Sequence, residues 1–242
     1  MKLSIIIPTL NEETVIAKLL KNLKDINDFD YEIIVSDGKS TDKTVEIAKS
    51  FGAAVVENLS GQRQTIGEGR NAGAAVATGD YLVFLDADVY LGDPDKFFTR
   101  ALWNFEQDKK MLGLSGWVRV FPEMETWGDI LGYVILSDCM FYLLNNILRV
   151  GSTCGEFQMM KTAIFKQLGG YREDLITVED KELFSRIAKL GHTRTDPKLL
   201  VLHTGRRPHA IGWPNMLWTW TKDSLHFSAL DRAHTKEWKV IR

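Results

Sequence analysis

Several features that would narrow the class of this 242-residue sequence are scarce in it. Only two cysteines are present, Cys139 and Cys154, and they form no C-x-x-C pair, so we predict two reduced core thiols instead of a disulfide framework. The net charge of -2 gives no general electrostatic case for nucleic acid. The apolar N-terminal run is too short for a signal peptide and ends at Pro8. We therefore expect a cytoplasmic globular protein that does not bind nucleic acid.

Long uncharged apolar runs are also missing. The nearest is residues 130–150, which Asp138, two asparagines and Arg149 interrupt. A spanning helix would place Asp138 near the bilayer centre, at a cost of about 2.5 kcal/mol or more. We reject a spanning helix and expect one of three arrangements. The segment packs inside the protein, contacts a second copy in a homodimer, or lies peripherally on the cytoplasmic face of a membrane.

Two glycine-rich nucleotide signatures, G-x-G-x-x-G and G-x-x-x-x-G-K-[ST], do not occur. The first half does contain a regular alternation of predicted strands and helices. Apolar and β-branched runs at 3–7, 31–36, 53–56 and 81–85 predict strands, with helical spacing between them. This predicts an α/β fold with a doubly wound, mostly parallel central sheet and helices on both faces. Ser40 or Thr41 is the predicted cap of the second helix, and Asp93-Pro94 opens the fourth.

Polar side chains follow three of the predicted strands: Asn11-Glu12-Glu13, Asp37 and Asp86-Ala87-Asp88. The carboxyl ends of parallel strands meet at one edge of a sheet, where ligands bind. Asp86 and Asp88 would repel each other unless a cation lies between them, and a hard divalent metal carrying phosphates is the usual solution. Turn or helix caps are the alternative. Arg70, on the helix leading into the fourth strand, could reach a phosphate.

Four segments, in order, carry a family resemblance: IIIPTLNEE at 5–13, IVSDGKSTD at 34–42, GRNAG at 69–73 and FLDAD at 84–88. They resemble the successive motifs of family 2 glycosyltransferases with the GT-A fold. The resemblance implies an inverting enzyme that uses a nucleotide-diphosphate sugar and a divalent cation, Mn²⁺ or Mg²⁺.

The same resemblance implies a nucleotide-sugar site drawn from all four motifs. Its residues would be Pro8, Thr9, Glu12, Asp37, Arg70, Asp86, Ala87 and Asp88. Asp88 would ligate the metal, and Asp86 would contact the ribose or metal-bound water. Lys39 departs from the pattern, because many relatives carry a small residue there.

In the second half, strands are predicted at 112–120, 152–160 and 198–202, and a short helix at 163–168. Residues 177–187, TVEDKELFSRI, are similar to the acceptor-side motif of the same family. By that similarity Asp180 is the catalytic base, and Glu179 beside it belongs to the donor site. Thr177 and Asp180 also have the spacing of a capping box, which would explain the acid without catalysis.

His203 follows the last predicted strand as the third metal ligand does in similar enzymes, although a structural histidine is the alternative; His209 is the weaker candidate. Arg206 and Arg207 are predicted to stabilise the departing diphosphate, or a phosphate on the acceptor, from a loop that closes over the donor. A surface pair is the alternative. The tryptophan-rich residues 213–227 predict a helix over the acceptor cleft or a membrane-interface anchor. From Asp231 on we expect a solvated terminus.

Together these features predict one domain, with residues 1–112 as the nucleotide-sugar half and 113–242 as the half that holds the acceptor and the base. The expected partners are the donor and a glycan or lipid-linked acceptor. A sugar-nucleotide pyrophosphorylase is disfavoured because no G-x-G-T-R loop follows the first strand. A non-catalytic nucleotide-sugar sensor would keep the first-half pocket, but the presence of Glu179, Asp180 and His203 favours an enzyme.

Overall fold

A sheet of seven strands organises the structure, a computed structural model that describes residues 1–235 apart from the side chains of Ile135 and Leu136. The strands are β1 (Lys2–Thr9), β2 (Asp30–Asp37), β3 (Ala54–Glu57), β4 (Tyr81–Leu85), β5 (Met111–Val120), β6 (Phe157–Lys161) and β7 (His192–His203). Their spatial order is β3-β2-β1-β4-β6-β5-β7. Only β6 runs antiparallel to its neighbours within this sheet. The predicted fold class, α/β with a mostly parallel sheet, is confirmed.

Nine helices surround this sheet in the described part of the chain. They are α1 (Ile16–Leu23), α2 (Thr44–Ser50), α3 (Ile66–Ala75), α4 (Pro94–Gln107), α5 (Trp127–Ile147), α6 (Thr162–Leu168), α7 (Glu179–Leu190), α8 (Arg206–Ile211) and α9 (Trp213–Leu230). Most of α5 is π-helical, over Ile130–Asp138 and Leu143–Ile147.

The period-two alternation of the strands builds a core on each side of the sheet. On β1, Leu3, Ile5 and Ile7 pack with α1 and α4. Ile6, pointing the other way, packs with residues of α3, α6 and α7. Helices therefore cover both faces, and the strand ends are left to form a site at the edge.

Two local predictions are confirmed. Strand β4 spans the predicted residues, and the Asp93 side chain accepts from the Lys96 amide at 3.0 Å as the cap of α4. The predicted cap of α2 is wrong, because α2 begins at Thr44 after Lys43. Ser40 instead uses its hydroxyl to donate to Asp37 at 2.5 Å.

The predicted strand 152–160 and the pair of core thiols need correction. Only the part from Phe157 on joins the sheet, since the Ser152 amide and carbonyl pair with the Asn145 side chain at 3.0 and 2.6 Å. Both cysteines are free, but Cys139 is exposed and only Cys154 is partly buried.

Helix α5 is the one helix within residues 1–235 that is long and apolar enough to cross a membrane. That measure rests on length and composition, which core helices of soluble proteins also satisfy, and 38% of its apolar window is buried. Asp138, near its middle, is fully buried and accepts from the Val118 amide at 3.3 Å.

Candidate active site

A cavity of about 820 Å³ lies at the edge of the sheet where β1, β2 and β4 end. With the exception of Asp37, the predicted site residues all line it, namely Pro8, Thr9, Glu12, Arg70, Asp86, Ala87, Asp88, Glu179, Asp180, His203, Arg206 and Arg207. In a parallel sheet the carboxyl ends of the strands lie at one edge, so residues that follow different strands meet here although they are far apart in sequence.

Asp37 lies behind the cavity wall, and the expectation that it lines the pocket is not met. Its carboxylate accepts from Thr9 Oγ1 at 3.1 Å, Ser40 Oγ at 2.5 Å, and the amides of Lys39 and Ser40 at 3.0 and 2.8 Å. Lys39 has a φ of 82°, in the left-handed region. Asp37 therefore holds the loop after β2 in shape, and Gly38 of that loop borders the cavity.

Arg70 is the centre of a buried group of acids. Its side chain emerges from α3 and is 2% exposed. Nη1 contacts Glu179 Oε1 at 3.1 Å and Asp180 Oδ1 at 2.5 Å, and Nη2 contacts Asp86 Oδ1 at 3.3 Å. The guanidinium that was expected to steady a nucleotide is therefore committed to three carboxylates of the protein.

The surplus of acid in this group changes its protonation. Burial raises the pKa of Glu179 and of Asp86 above the ordinary range, neighbouring carboxylates raise both further, and Arg70 opposes the shift. Glu156, which lines the same cavity, has its pKa raised by burial as well. One guanidinium does not neutralise these acids, so we expect this group of side chains to retain protons near neutral pH.

The capping-box explanation of Asp180 is wrong. Helix α7 follows Val178, which has a φ of 62°, and no side chain caps it. The Thr177 hydroxyl donates to Asp223 Oδ2 at 2.8 Å, on α9. Asp180 is held in place by Arg70 and not by the helix terminus.

A second arginine joins the acids at the ends of β1 and β4. Arg206 contacts Glu12 at 2.7 and 3.1 Å and Asp88 Oδ2 at 3.2 Å, and Thr204 donates its hydroxyl to the same Asp88 oxygen. The predicted closing loop is corrected here, since Arg206 and Arg207 form the first turn of α8.

His203, the last residue of β7, is 5% exposed and its Nε2 has no hydrogen-bond partner among residues 1–235. Its ring packs edge-on against Tyr133 at 4.8 Å between centroids. Burial lowers its pKa, with Asp88 the strongest opposing charge, so the imidazole is neutral. A buried, neutral and unpaired nitrogen fits a metal ligand. His209 instead contacts Asp129 at 2.8 Å.

A metal would find only part of its coordination shell in the protein. The described residues contain no group of three or more His, Cys, Asp or Glu side chains arranged to hold an ion. Asp88 and His203 suit a site that is completed by the oxygens of a bound diphosphate.

Sequence reasoning missed two residues of the site, Gly155 and Gln158. A Cβ at Gly155 would lie 2.7 Å from Arg70 Nη2 and 3.2 Å from Asp86 Oδ2, so only glycine leaves room for the acids around Arg70. Gln158 is fully buried on β6 and donates to Asp180. The available signal for Gln158 was one amide inside an otherwise apolar run of strand.

Helices α5 and α9 contribute an apolar part of the cavity wall, called here the apolar limb. Its walls are Tyr133, Met140, Phe141 and Leu144 of α5, and Met216, Leu217 and Trp220 of α9. The tryptophan-rich segment thus forms a helix that covers the cavity. Of the predicted solvated terminus, residues 231–235 are exposed or half-buried, and the rest lies outside the described residues.

Residues 4–169 match the sequence model of Glycosyl transferase family 2. The chain belongs to this family. Family 2 members are enzymes that transfer sugars, and the matched span contains the four motifs and the strands from β1 to β6.

Two named relatives of this family 2 chain are bacterial glycosyltransferases. It is 33% identical over 207 residues to the poly(ribitol-phosphate) beta-N-acetylglucosaminyltransferase TarS of Staphylococcus aureus, covering 80% of this chain and 33% of TarS. It is 39% identical over 95 residues to a PGL/p-HBAD biosynthesis glycosyltransferase of Mycobacterium tuberculosis, covering 38% of this chain and 37% of the other. In both cases the chain spans about a third of the relative's length.

Solved structures show the same GT-A fold. A mannosyltransferase of Pyrobaculum calidifontis, in complex with GDP-Man and Mn²⁺, superposes with a TM-score of 0.70 at 19% identity, covering 98% of this chain and 65% of that one. Residues 1–349 of S. aureus TarS, in complex with UDP, superpose with a TM-score of 0.66 at 21% identity, covering 84% and 60%.

Proposed function

We propose that this chain transfers a sugar from a UDP- or GDP-sugar to an acceptor with inversion at the anomeric carbon. The observation that carries the proposal is the single cavity in which Asp86 and Asp88 meet Asp180. In this assignment residues 1–112 bind the donor, and residues 113–242 supply the acceptor side and the base.

Asp180 is the proposed base. Its Oδ1 accepts from Arg70, whereas Oδ2 has no hydrogen-bond partner within residues 1–235 and is free to take a proton. The acceptor hydroxyl loses its proton to Oδ2 as its oxygen bonds to the anomeric carbon. The bond from that carbon to the diphosphate breaks at the same time, and the diphosphate leaves with the electron pair. Attack from the face opposite the leaving group inverts the configuration.

Asp88 and His203 would hold a divalent cation, Mn²⁺ or Mg²⁺. When bound, such a cation neutralises charge that develops on the leaving diphosphate. Arg206 already supplies a positive charge to Asp88 and must share or yield this position when the donor binds. The mannosyltransferase of the same fold, solved in complex with GDP-Man and Mn²⁺, supports this assignment.

The apolar limb supports a lipid-linked acceptor and a peripheral position on the cytoplasmic membrane face. Large apolar side chains on the helices that bound it face solvent: Ile147 of α5 is 62% exposed, and Trp218 and Leu225 of α9 are 68% and 67% exposed. Co-sedimentation with vesicles tests the position, and loss of binding is expected for Trp218→Ser. If the wild-type chain stays in solution with every vesicle composition, a soluble glycan becomes the favoured acceptor.

The central experiment combines binding with turnover. A donor that binds the folded state raises its melting temperature, so UDP-glucose, UDP-GlcNAc and GDP-mannose are compared with and without Mn²⁺. We expect one donor to stabilise the protein in a metal-dependent way. Asp88→Ala should abolish that dependence, and Asp180→Asn should bind the donor while turnover falls by about 10² to 10⁴-fold.

The control for these variants is Asp93→Asn at the cap of α4, which should turn over like the wild type. Wild-type turnover in Asp180→Asn would refute the assignment of the base. A wild-type protein that binds a donor but neither hydrolyses nor transfers it would favour the nucleotide-sugar sensor.

A further inference from the structure

A buried glutamine lies directly behind the proposed base. The Gln158 side-chain nitrogen donates to Asp180 Oδ1, the oxygen that also accepts from Arg70 Nη1 at 2.5 Å. Gln158 is 0% exposed, so no water competes for this contact. Two donors therefore converge on one oxygen of the carboxylate and leave the other toward the cavity.

The orientation of the glutamine amide is also fixed. The Tyr171 hydroxyl donates to Gln158 Oε1 at 2.7 Å, and Nε2 donates to the Cys154 carbonyl at 3.0 Å. Tyr171 is itself buried, with its amide bonded to Asn71 Oδ1 at 2.9 Å and its ring edge-on to Phe84. The connection from Tyr171 to Asp180 thus runs through buried side chains whose polar groups are held by hydrogen bonds.

We propose that Gln158, backed by Tyr171, is a positioning residue that aims Asp180 Oδ2 at the acceptor. This inference rests on the proposed function. Donors on Oδ1 stop the carboxylate from rotating about its Cβ–Cγ bond, and they leave Oδ2 as the oxygen that takes the proton. Reacting atoms tolerate little misplacement, so a looser carboxylate slows the step without weakening donor binding.

The test uses Gln158→Met, Gln158→Glu and Tyr171→Phe. Turnover is followed as release of UDP from UDP-GlcNAc or of GDP from GDP-mannose, with water as acceptor, across the pH range. Gln158→Met should lower kcat about 10- to 100-fold and leave the donor KM within about twofold. Gln158→Glu places a second carboxylate against Asp180, so the acidic limb of the pH–rate profile should move up by about one pH unit.

Tyr171→Phe should lower kcat in the same direction by a smaller factor. Because Tyr171 acts through Gln158, the double variant with Gln158→Met should be no slower than Gln158→Met alone. Full additivity of the two changes would contradict the proposed connection.

Matched controls separate positioning from simple loss of a buried polar contact. Asn104→Leu removes another buried amide that donates to an aspartate, Asp196 at 2.6 Å, and Tyr81→Phe removes a hydroxyl from β4. Both should leave the acidic limb in place, even if Asn104→Leu lowers the melting temperature.

Wild-type kcat in Gln158→Met, or an unmoved acidic limb in Gln158→Glu, would overturn the inference. If Gln158→Met does not fold, Tyr171→Phe decides by the same criteria. Asp180→Asn is measured in parallel: wild-type turnover there refutes the proposed function, whereas an inactive Asp180→Asn beside a fully active Gln158→Met refutes only the positioning role.

Discussion

Two arginines line the same cavity and each joins several carboxylates, yet they are built differently. Arg70 comes from the middle of α3, is 2% exposed, and holds Glu179, Asp180 and Asp86. Arg206 begins the short helix α8, is 24% exposed, and holds Glu12 and Asp88.

The difference lies in what happens when each cation is displaced. Loss of Arg70 would leave three acids that line one cavity without their shared cation, and the site of the guanidinium itself is fully buried, so the loss is strongly destabilising. Loss of Arg206 would leave two acids, Glu12 and Asp88, but Arg206 itself is partly exposed to the cavity, so water or another cation can take its position. The Arg70 side of the cavity is therefore part of the folded framework, and the Arg206 side is arranged for exchange.

The largest effect that this comparison predicts is on stability. Arg70→Met should lower the free energy of unfolding by about 3–5 kcal/mol, because three carboxylates lose their partner. Chemical denaturation measures the change. Arg172→Met, which removes an arginine from the exposed acids Asp174 and Asp231, should cost about 1 kcal/mol or less. Equal losses in the two variants would refute the distinction between framework and surface arginines.

A buried acid away from both arginines isolates the effect of burial. Burial raises the pKa of Asp138 to about 8, against 3.8 for an ordinary aspartate. Its folded-state pKa is the higher one, so its contribution to stability is present below about pH 4 and is lost as pH rises toward 8. The free energy of unfolding of Asp138→Asn should therefore rise relative to that of the wild type as pH increases over this window. The expected gain is on the order of a few kcal/mol, at about 1.4 kcal/mol per pH unit.

Denaturation curves at several pH values measure this change in stability. Asp196→Asn is the control, because its stability difference from the wild type should change with pH in the opposite direction. Hydrogen bonds from Arg100 and Asn104 lower the pKa of Asp196 despite its burial. Its contribution to stability is present above about pH 4 and is lost at lower pH. The free energy of unfolding of Asp196→Asn should therefore fall further below that of the wild type as pH rises. The same pH trend in both variants would contradict the assignment.

The smallest predicted effect concerns the exchangeable arginine. Arg206→Met should lower the free energy of unfolding less than Arg70→Met does, since Arg206 joins two acids instead of three and is itself 24% exposed. Without donor, Mn²⁺ affinity should rise about tenfold, because Asp88 no longer has a competing cation; tenfold corresponds to about 1.4 kcal/mol. Electron paramagnetic resonance of free Mn²⁺ measures this affinity. Lys181→Met, which removes another cavity cation, is the control for net charge, and an equal gain there would refute specific competition.

Sequence patterns predicted the strands of the first half of the chain well because these strands carry their own signals. Strand β4 is a short apolar run closed by two acids, and both its bounds and the position of Asp86 and Asp88 at the cavity follow from that pattern. A parallel sheet brings the carboxyl ends of its other strands to the same edge. This rule placed Glu12 at the site without any knowledge of its contacts.

The partners of those residues were not predictable, because they depend on packing between distant segments. Nothing near Arg70 in sequence reveals that Glu179 and Asp180 will surround it. Thr177 and Asp180 have the spacing of a cap, but Thr177 finds Asp223 on α9 instead. Gln158 looks like one polar residue in a strand until β6 is placed beside β4.

The antiparallel direction of β6 has a consequence for how this chain could diversify. Because β6 runs against β4, with Phe157 paired to Leu85, the chain returns to the sheet at the same edge where β4 leaves it. The segment between β5 and β6 is thereby tethered at both ends to the cavity edge. Insertions or exchanges there would remodel one wall of the cavity while the register of the donor strands stays as it is. New acceptors could therefore be acquired by replacing a single continuous stretch of sequence.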